Sequence, residues 1–249
     1  MRYILCAGFV LMSIFSFSQI VNIETQRLHS DTTGWFGKIQ TGFALQQNVT
    51  RVLNITAGAN VEYKSLKDLY IILANYNLLR ANGQSFNNNV FTHLRYRHNF
   101  TEKFSWEVFT QVQNNNVTGI DLRFLAGTGP RFKVINSPKI TFYAASAVMY
   151  EYEKELTKPP VVHNDLRNST YLSLSWKSSD DAELSGTLFY QPLFKNFSNY
   201  RLLNEINISY KIFRQLSLTA GWHYLFDTRP AAGTPKLNYS ISNGFEFEF

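Results

Sequence analysis

Hydrophobic and polar residues alternate along most of this chain with a period of two. Over 53–63, Leu53, Ile55, Ala57, Ala59, Val61 and Tyr63 fall on one face, and Asn54, Thr56, Gly58, Asn60 and Glu62 on the other. Successive side chains of a strand point to opposite faces, so this spacing predicts a strand with one apolar and one polar side. Phe104, Trp106, Val108, Thr110 and Val112 repeat the pattern against Glu107, Gln111 and Gln113. Leu216, Leu218, Ala220, Trp222, Tyr224 and Phe226 do so against Ser217, Thr219, Gly221 and His223. The last segment sets Leu237, Tyr239, Ile241, Phe245, Phe247 and Phe249 against Ser240, Ser242, Gly244, Glu246 and Glu248. Eight further strands are predicted at 38–46, 69–79, 90–99, 122–133, 139–150, 170–177, 183–191 and 200–211, of which 139–150 is apolar on both faces.

Each segment has about the 9–11 residues that a tilted transmembrane strand needs. The links between them follow a second rule. Short turns fall at 64–67, 100–103, 135–138, 178–182 and 212–215, and longer links at 80–89, 114–120, 151–169, 192–199 and 227–235. The 151–169 link reads as the longest outer loop, and the first link, 47–51, is shorter than the alternation asks for. Short periplasmic turns alternating with longer outer loops are the habit of outer-membrane barrels. A soluble β-sandwich also alternates, but its outward face is polar. The predicted fold is therefore all-β: a transmembrane antiparallel up-and-down β-barrel of about twelve strands over 35–249, with both termini periplasmic. No later stretch has the length and hydropathy of a membrane helix, and a closed barrel is the other structure that pairs every backbone group in lipid.

Composition agrees. Hydrophobic residues make up 45% of the 249 and mean hydropathy is −0.20, while aromatics reach 16%. A barrel turns only every second residue to lipid, and its interfacial girdles raise the aromatic count. Residues 1–18 read as a signal peptide, with Arg2 in the n-region, an apolar stretch from Ile4 to Phe15 and a small residue, Ser18, at the end. The apolar run is too short to anchor, and Cys6 stands too early for lipid attachment. Residues 19–34 are then a periplasmic N-terminal segment. Removing the signal takes away Cys6, the single cysteine, and lowers the formal net charge from +6 to +5 by loss of Arg2. The basic residues are scattered without a run, so no nucleic-acid partner is expected.

The C-terminal stretch carries a positional signal. Ser242, Gly244, Phe247 and Phe249 have the spacing of the motif by which the barrel-assembly machinery captures a last strand, where main-chain pairing gives affinity and aromatic side chains set register. Two other stretches, 27–37 (RLHSDTTGWFG) and 124–134 (FLAGTGPRFKV), together with 75–79 (NYNLL) and 106–113 (WEVFTQVQ), resemble the DUF481 family of salt-induced, YdiY-like outer-membrane proteins in its Bacteroidota-type form. The resemblance covers most of the mature chain. It implies a small barrel in the bacterial outer membrane, in contact with outer-membrane lipid, and no settled activity.

Enzymatic constellations are weak, and no cofactor or metal is expected. None of His29, His93, His98, His163 and His223 has a serine two residues away on its strand face, as a nucleophile–base pair would want. Asp180–Asp181 falls in a periplasmic turn, and His163-Asn164-Asp165 is too small a set for a metal. The candidate functional residues are the charges that alternate inward: Arg95, Arg97, Glu107, Arg123, Arg131, Arg167, Arg201 and Glu205, with Lys38, Glu62, Lys133, Lys211, Glu246 and Glu248. Charges inside a narrow barrel are paired or hydrated. Three functions follow: a structural or envelope stress-related barrel with a filled lumen, a small pore biased to anions by the arginine excess, or a subunit bound to an envelope protein partner.

Overall fold

The computed structural model describes residues 32–213 and 215–247. These form twelve strands and no helix: β1 (Gly34–Gln47), β2 (Arg51–Lys64), β3 (Asp68–Ala81), β4 (Gln84–Asn99), β5 (Phe104–Asn115), β6 (Ile120–Asn136), β7 (Ile140–Glu155), β8 (Val162–Lys177), β9 (Ala182–Leu193), β10 (Asn196–Phe213), β11 (Leu216–Asp227) and β12 (Leu237–Phe247). The sheet order is β1 to β12 without a crossover, every neighbouring pair antiparallel. With an even strand number, the start of β1 and the end of β12 lie at one end, the periplasmic one in single-chain barrels. The expected signal peptide at 1–18, most of the 19–34 segment, and Glu248 and Phe249 lie outside the described residues.

The strands are longer than the bilayer requires. β10 has 18 residues, roughly 60 Å of contour and about 40 Å along the axis at a tilt of ~45°, against a hydrocarbon core of about 30 Å. The excess projects at the end remote from the termini, and it corrects the loop assignments. The expected long loop over 151–169 is mostly strand: β7 runs on to Glu155 and β8 starts at Val162, leaving a link of 156–161. The period of two continues through Glu151, Glu153 and Glu155 and through His163, Asp165 and Arg167. Their high charge had made the segment look like a loop.

Register fixes which residues point in. Phe36 pairs with Glu62, Glu62 with Ile71, Ile71 with Arg95 and Arg95 with Phe109, and side chains paired in this way share a face. The other face carries Ile39, Leu94, Val108, Leu172, Leu218 and Ile241, all exposed, with Ile39 at 77%. An apolar surface of this extent belongs against lipid tails. Rings rim it at the terminal end, where Trp35–Tyr63 and Tyr70–Tyr96 centroids are 4.9 Å apart and Phe104–Phe132 centroids 5.3 Å. Tyr190, Tyr200 and Phe226 rim the opposite end, at 5.6 and 6.0 Å. These are the two aromatic girdles of a membrane barrel.

The inner face is not uniformly polar. Leu69, Ile71, Leu73 and Phe91 on β3 and β4 form one buried inward cluster, and Ala145, Tyr171, Phe189, Leu203 and Leu225 on β7 to β11 another. The second explains why 139–150 is apolar on both sides, since its inward Ala145 and Met149 fill the lumen while Val148 and Tyr150 face outward. Strong curvature brings distant strands together: the Tyr171 hydroxyl of β8 donates to Glu107 Oε2 of β5 at 2.8 Å.

β6 is where the wall is tightest. A Cβ on Gly127 would stand 2.4 Å from the Phe109 ring, and one on Gly129 would stand 2.0 Å from the backbone oxygen of Ser146 on β7. Both glycines belong to the 124–134 stretch. Gly129→Ala is expected to destabilise the barrel by about 3 kcal/mol, the upper end for overpacking, because backbone rather than a flexible side chain must give way. The check is the urea midpoint of the folded, heat-modifiable form in detergent, and a midpoint unchanged from wild type would refute the close approach.

Candidate functional site in the barrel lumen

The densest polar assembly lies inside the barrel, in the half remote from the termini. Register places Arg123 (β6) beside Glu153 (β7), Arg167 (β8) beside Met149 (β7) and Arg201 (β10) beside Asp227 (β11), all facing inward. Arg123 Nε donates to Glu153 Oε2 at 2.6 Å and lies 3.3 Å from Glu151 Oε1. Arg201 Nε donates to Asp227 Oδ2 at 2.6 Å, its Nη2 to Glu153 Oε2 at 3.0 Å, and its Nη1 to Glu151. Arg167 Nε donates to Glu151 Oε2 at 2.5 Å, and its Nη1 and Nη2 both reach Asn199 Oδ1 at 3.3 Å. Glu151 thus meets three guanidinium groups while only 1% exposed.

Three arginines against three carboxylates leave this layer neutral. That balance matters, because a desolvated charge without a partner costs several kcal/mol. The link between β11 and β12, 228–236, folds over the layer. Ala232 N donates to Glu155 Oε2 at 3.2 Å, and buried Ala231 packs on Gly119 of the β5–β6 link. Gly119 and Gly233 have φ of +70° and +84°, which suits glycine in these tight turns.

A second group lies nearer the termini. Glu107 accepts from Arg95 Nη1 at 3.0 Å through Oε2 and from Arg131 Nη1 at 3.2 Å through Oε1. Arg131 also stacks over the Tyr143 ring at 3.8 Å, and Arg95 over Phe109 at 5.4 Å. His93 lies between the rings of Phe91 and Phe109, and its Nδ1 is 3.2 Å from Gln111 Oε1.

The structure brings Arg123, Arg167 and Arg201 into one layer and Arg95, Glu107 and Arg131 into the other. Arg97, beside Glu107 in register, and Glu205, beside His223, also face inward but are half-buried. Lys38 and Lys211 face inward and are exposed. On β12, Ser242 and Gly244 face the lumen, and Phe247 ends the strand opposite Leu216 of β11. Glu151, Glu153 and Asp227 are not among the sequence-predicted residues, because the predicted links at 151–169 and 227–235 include them. Their alternation with Tyr150, Tyr152 and Phe226 was the available signal. His163 Nε2 pairs with Glu155 Oε1 at 2.9 Å, and Asp165 Oδ1 pairs with Lys195 at 2.7 Å. Among the described residues no group of three or more His, Cys, Asp or Glu is placed to hold a metal.

The lumen is unequal around its circumference. The inward faces of β3 to β9 are largely buried, whereas Lys38, Gln40 and Gly42 on β1 and Ser242 on β12 are exposed. On β2 to β5, away from the ionic layer, the inward residues become carboxamides. Register lines up Thr56, Asn77, Asn89 and Asn115 in one row across four strands, with Asn75 and Gln113 in the next.

Twelve antiparallel strands with a lipid-facing apolar belt, two aromatic girdles and a polar interior define an outer-membrane β-barrel. The chain belongs to DUF481, a family described as a protein of unknown function, whose model matches residues 39–249. No curated protein matches the chain. Among solved structures, the NanC porin is similar at 9% identity, covering 85% of this chain and 99% of that one with a TM-score of 0.50. The translocator domain of the autotransporter NalP from Neisseria meningitidis is similar at 14% identity, over 90% and 92% of the two chains, with a TM-score of 0.42.

Glu151→Ala would leave three buried guanidinium groups without their shared carboxylate, a loss of about 3–5 kcal/mol. Glu102→Ala, in an exposed turn, is expected to stay within about 0.5 kcal/mol of wild type. Tryptophan fluorescence during urea unfolding in detergent compares them, and equal midpoints would mean that the network is not stabilising the fold.

Proposed function

We propose that this protein is a structural component of the outer membrane, a non-enzymatic barrel whose lumen is closed to ion flow. The observation that carries this reading is the buried, charge-neutral layer of Arg123, Arg167, Arg201, Glu151, Glu153 and Asp227 beneath the 228–236 link. In an aqueous channel such side chains stay hydrated, whereas here they are spent on one another. Glu151, Glu153 and Asp227 also cancel the arginine excess that argued for an anion-biased pore. The apolar clusters around Leu73 and Leu203 favour the same reading, since they fill lumen that a channel would leave to water.

A small pore is the second reading. It is favoured by the polar inward residues Lys38, Gln40 and Ser242 on β1 and β12, the two edge strands of the sheet. Planar-bilayer recording separates the two. The purified wild-type protein is expected to give no conductance steps, and Glu151→Ala/Arg201→Ala, which keeps the layer neutral but removes its bulk, is expected to give small ones. Regular steps from wild type would overturn the closed reading, and anion selectivity in them would restore the arginine-lined pore.

A further inference from the structure

The ionic layer engages most of the polar groups in the outer half of β6 to β11, but the wall of β2 to β5 does not engage its own. On the outer half of β2 to β5 most of the polar inward positions are amides. Asn77 of β3 stands directly across from Asn89 of β4, and Asn89 across from Asn115 of β5. Asn75 lies one row closer to the termini, and Asn87 one row further from them. Asn77 and Asn89 are buried, as are Asn115 and Gln113. Yet Asn75 Nδ2, Asn87 Oδ1 and Asn89 Oδ1 are shielded from solvent and have no hydrogen-bond partner. The same holds for Arg123 Nη1, whose residue is the register neighbour of Gln113 on β6, where the amide wall meets the ionic layer. Buried polar atoms left in this state are exceptional and call for a partner.

We infer that this wall is a binding site for an uncharged, polyhydroxylated solute, a sugar or short oligosaccharide entering from the outer face. The chemistry of the wall sets the class. A carboxamide offers a donor and an acceptor on one planar group, and a hydroxyl both donates and accepts, so a row of amides matches a row of hydroxyls. A charged ligand fits less well. The row carries no ionisable side chain, and the neighbouring charges are already neutralised among themselves. The wall has several rows and several strands, so it can meet a ring at more than one hydroxyl, as sugar specificity requires. Rigidity follows from the backbone: the amides sit on paired strands rather than on loops, and their positions are fixed before a ligand arrives.

The site does not depend on whether the barrel conducts ions, since binding is read by titration and conduction by bilayer recording. Isothermal titration of the detergent-solubilised full-length protein with glucose, N-acetylglucosamine and maltotriose, and with sodium gluconate as an anionic polyol, tests it. Saturable binding of at least one neutral sugar is expected, weakened at least tenfold by Asn75→Ala/Asn89→Ala. The heat-modifiable band reports that this variant is folded. If the double variant does not fold, the single Asn89→Ala serves, with at least a threefold loss expected. Heat for none of the three sugars would overturn the proposal and leave ordered water as the partner of these amides. Gluconate binding in preference to all three would also overturn it, by assigning the site to Arg123. Binding unchanged in the folded variant would overturn it too.

Discussion

Hydrocarbon offers a polypeptide no hydrogen bonds, so every backbone amide within the bilayer has to be met by another part of the same protein. Nearly everything described above follows from that requirement. Pairing consecutive strands satisfies it with the shortest connections everywhere but at the free edges of β1 and β12, giving one antiparallel sheet in chain order. Strands in turn force alternation, since every second side chain must face lipid and every other one must face whatever the curled sheet encloses. The outer belt of Ile39, Leu94, Leu172 and Leu218 and the inner set of Arg95, Arg123, Glu151 and Arg201 are two readings of one periodicity.

A barrel of twelve strands is wider than the eight-stranded kind that side chains fill completely. This interior meets the surplus space unevenly. Large inward residues, Phe91, Phe109, Tyr171 and Phe189, occupy part of it, and glycines at 127 and 129 let Phe109 and β7 approach β6. Long arginines reach from β6, β8 and β10 to the carboxylates of β7 in the outer half. What is left over is polar: the amides of β2 to β5 and, on β1 and β12, Lys38, Gln40 and Ser242.

The strand count, the order and the facing of each strand were legible in the sequence because lipid and lumen impose opposite hydropathy on neighbouring positions. The positions of the inward arginines were legible for the same reason. Their partners were not. Glu151 and Glu153 alternate with Tyr150 and Tyr152 rather than with aliphatic residues, so the continuing strand looks like a charged loop. Asp227, beside Thr228 and Arg229 before a proline, looks like the start of one. The ion pairs themselves include contacts between strands three apart, set by curvature rather than by spacing along the chain. The apolar filling at Ala145 and Leu203 was hidden for another reason: an apolar residue facing the lumen is indistinguishable, in sequence, from one facing lipid.

The layer around Glu151 joins β6, β7, β8, β10 and β11, each contributing one or two charges to a set that is neutral only when whole. A hairpin of β6 and β7 carries Arg123 against two carboxylates, the deficit is made good when Arg167 arrives on β8, and Arg201 of β10 then balances Asp227 of β11. Sequence drift in this region is therefore constrained as a group. A family member that loses one of the six is expected to have lost an opposite charge as well, on a strand that can be fifty or more residues away. Changes at these positions should travel together through the family in a way that no pairing of adjacent strands would reveal.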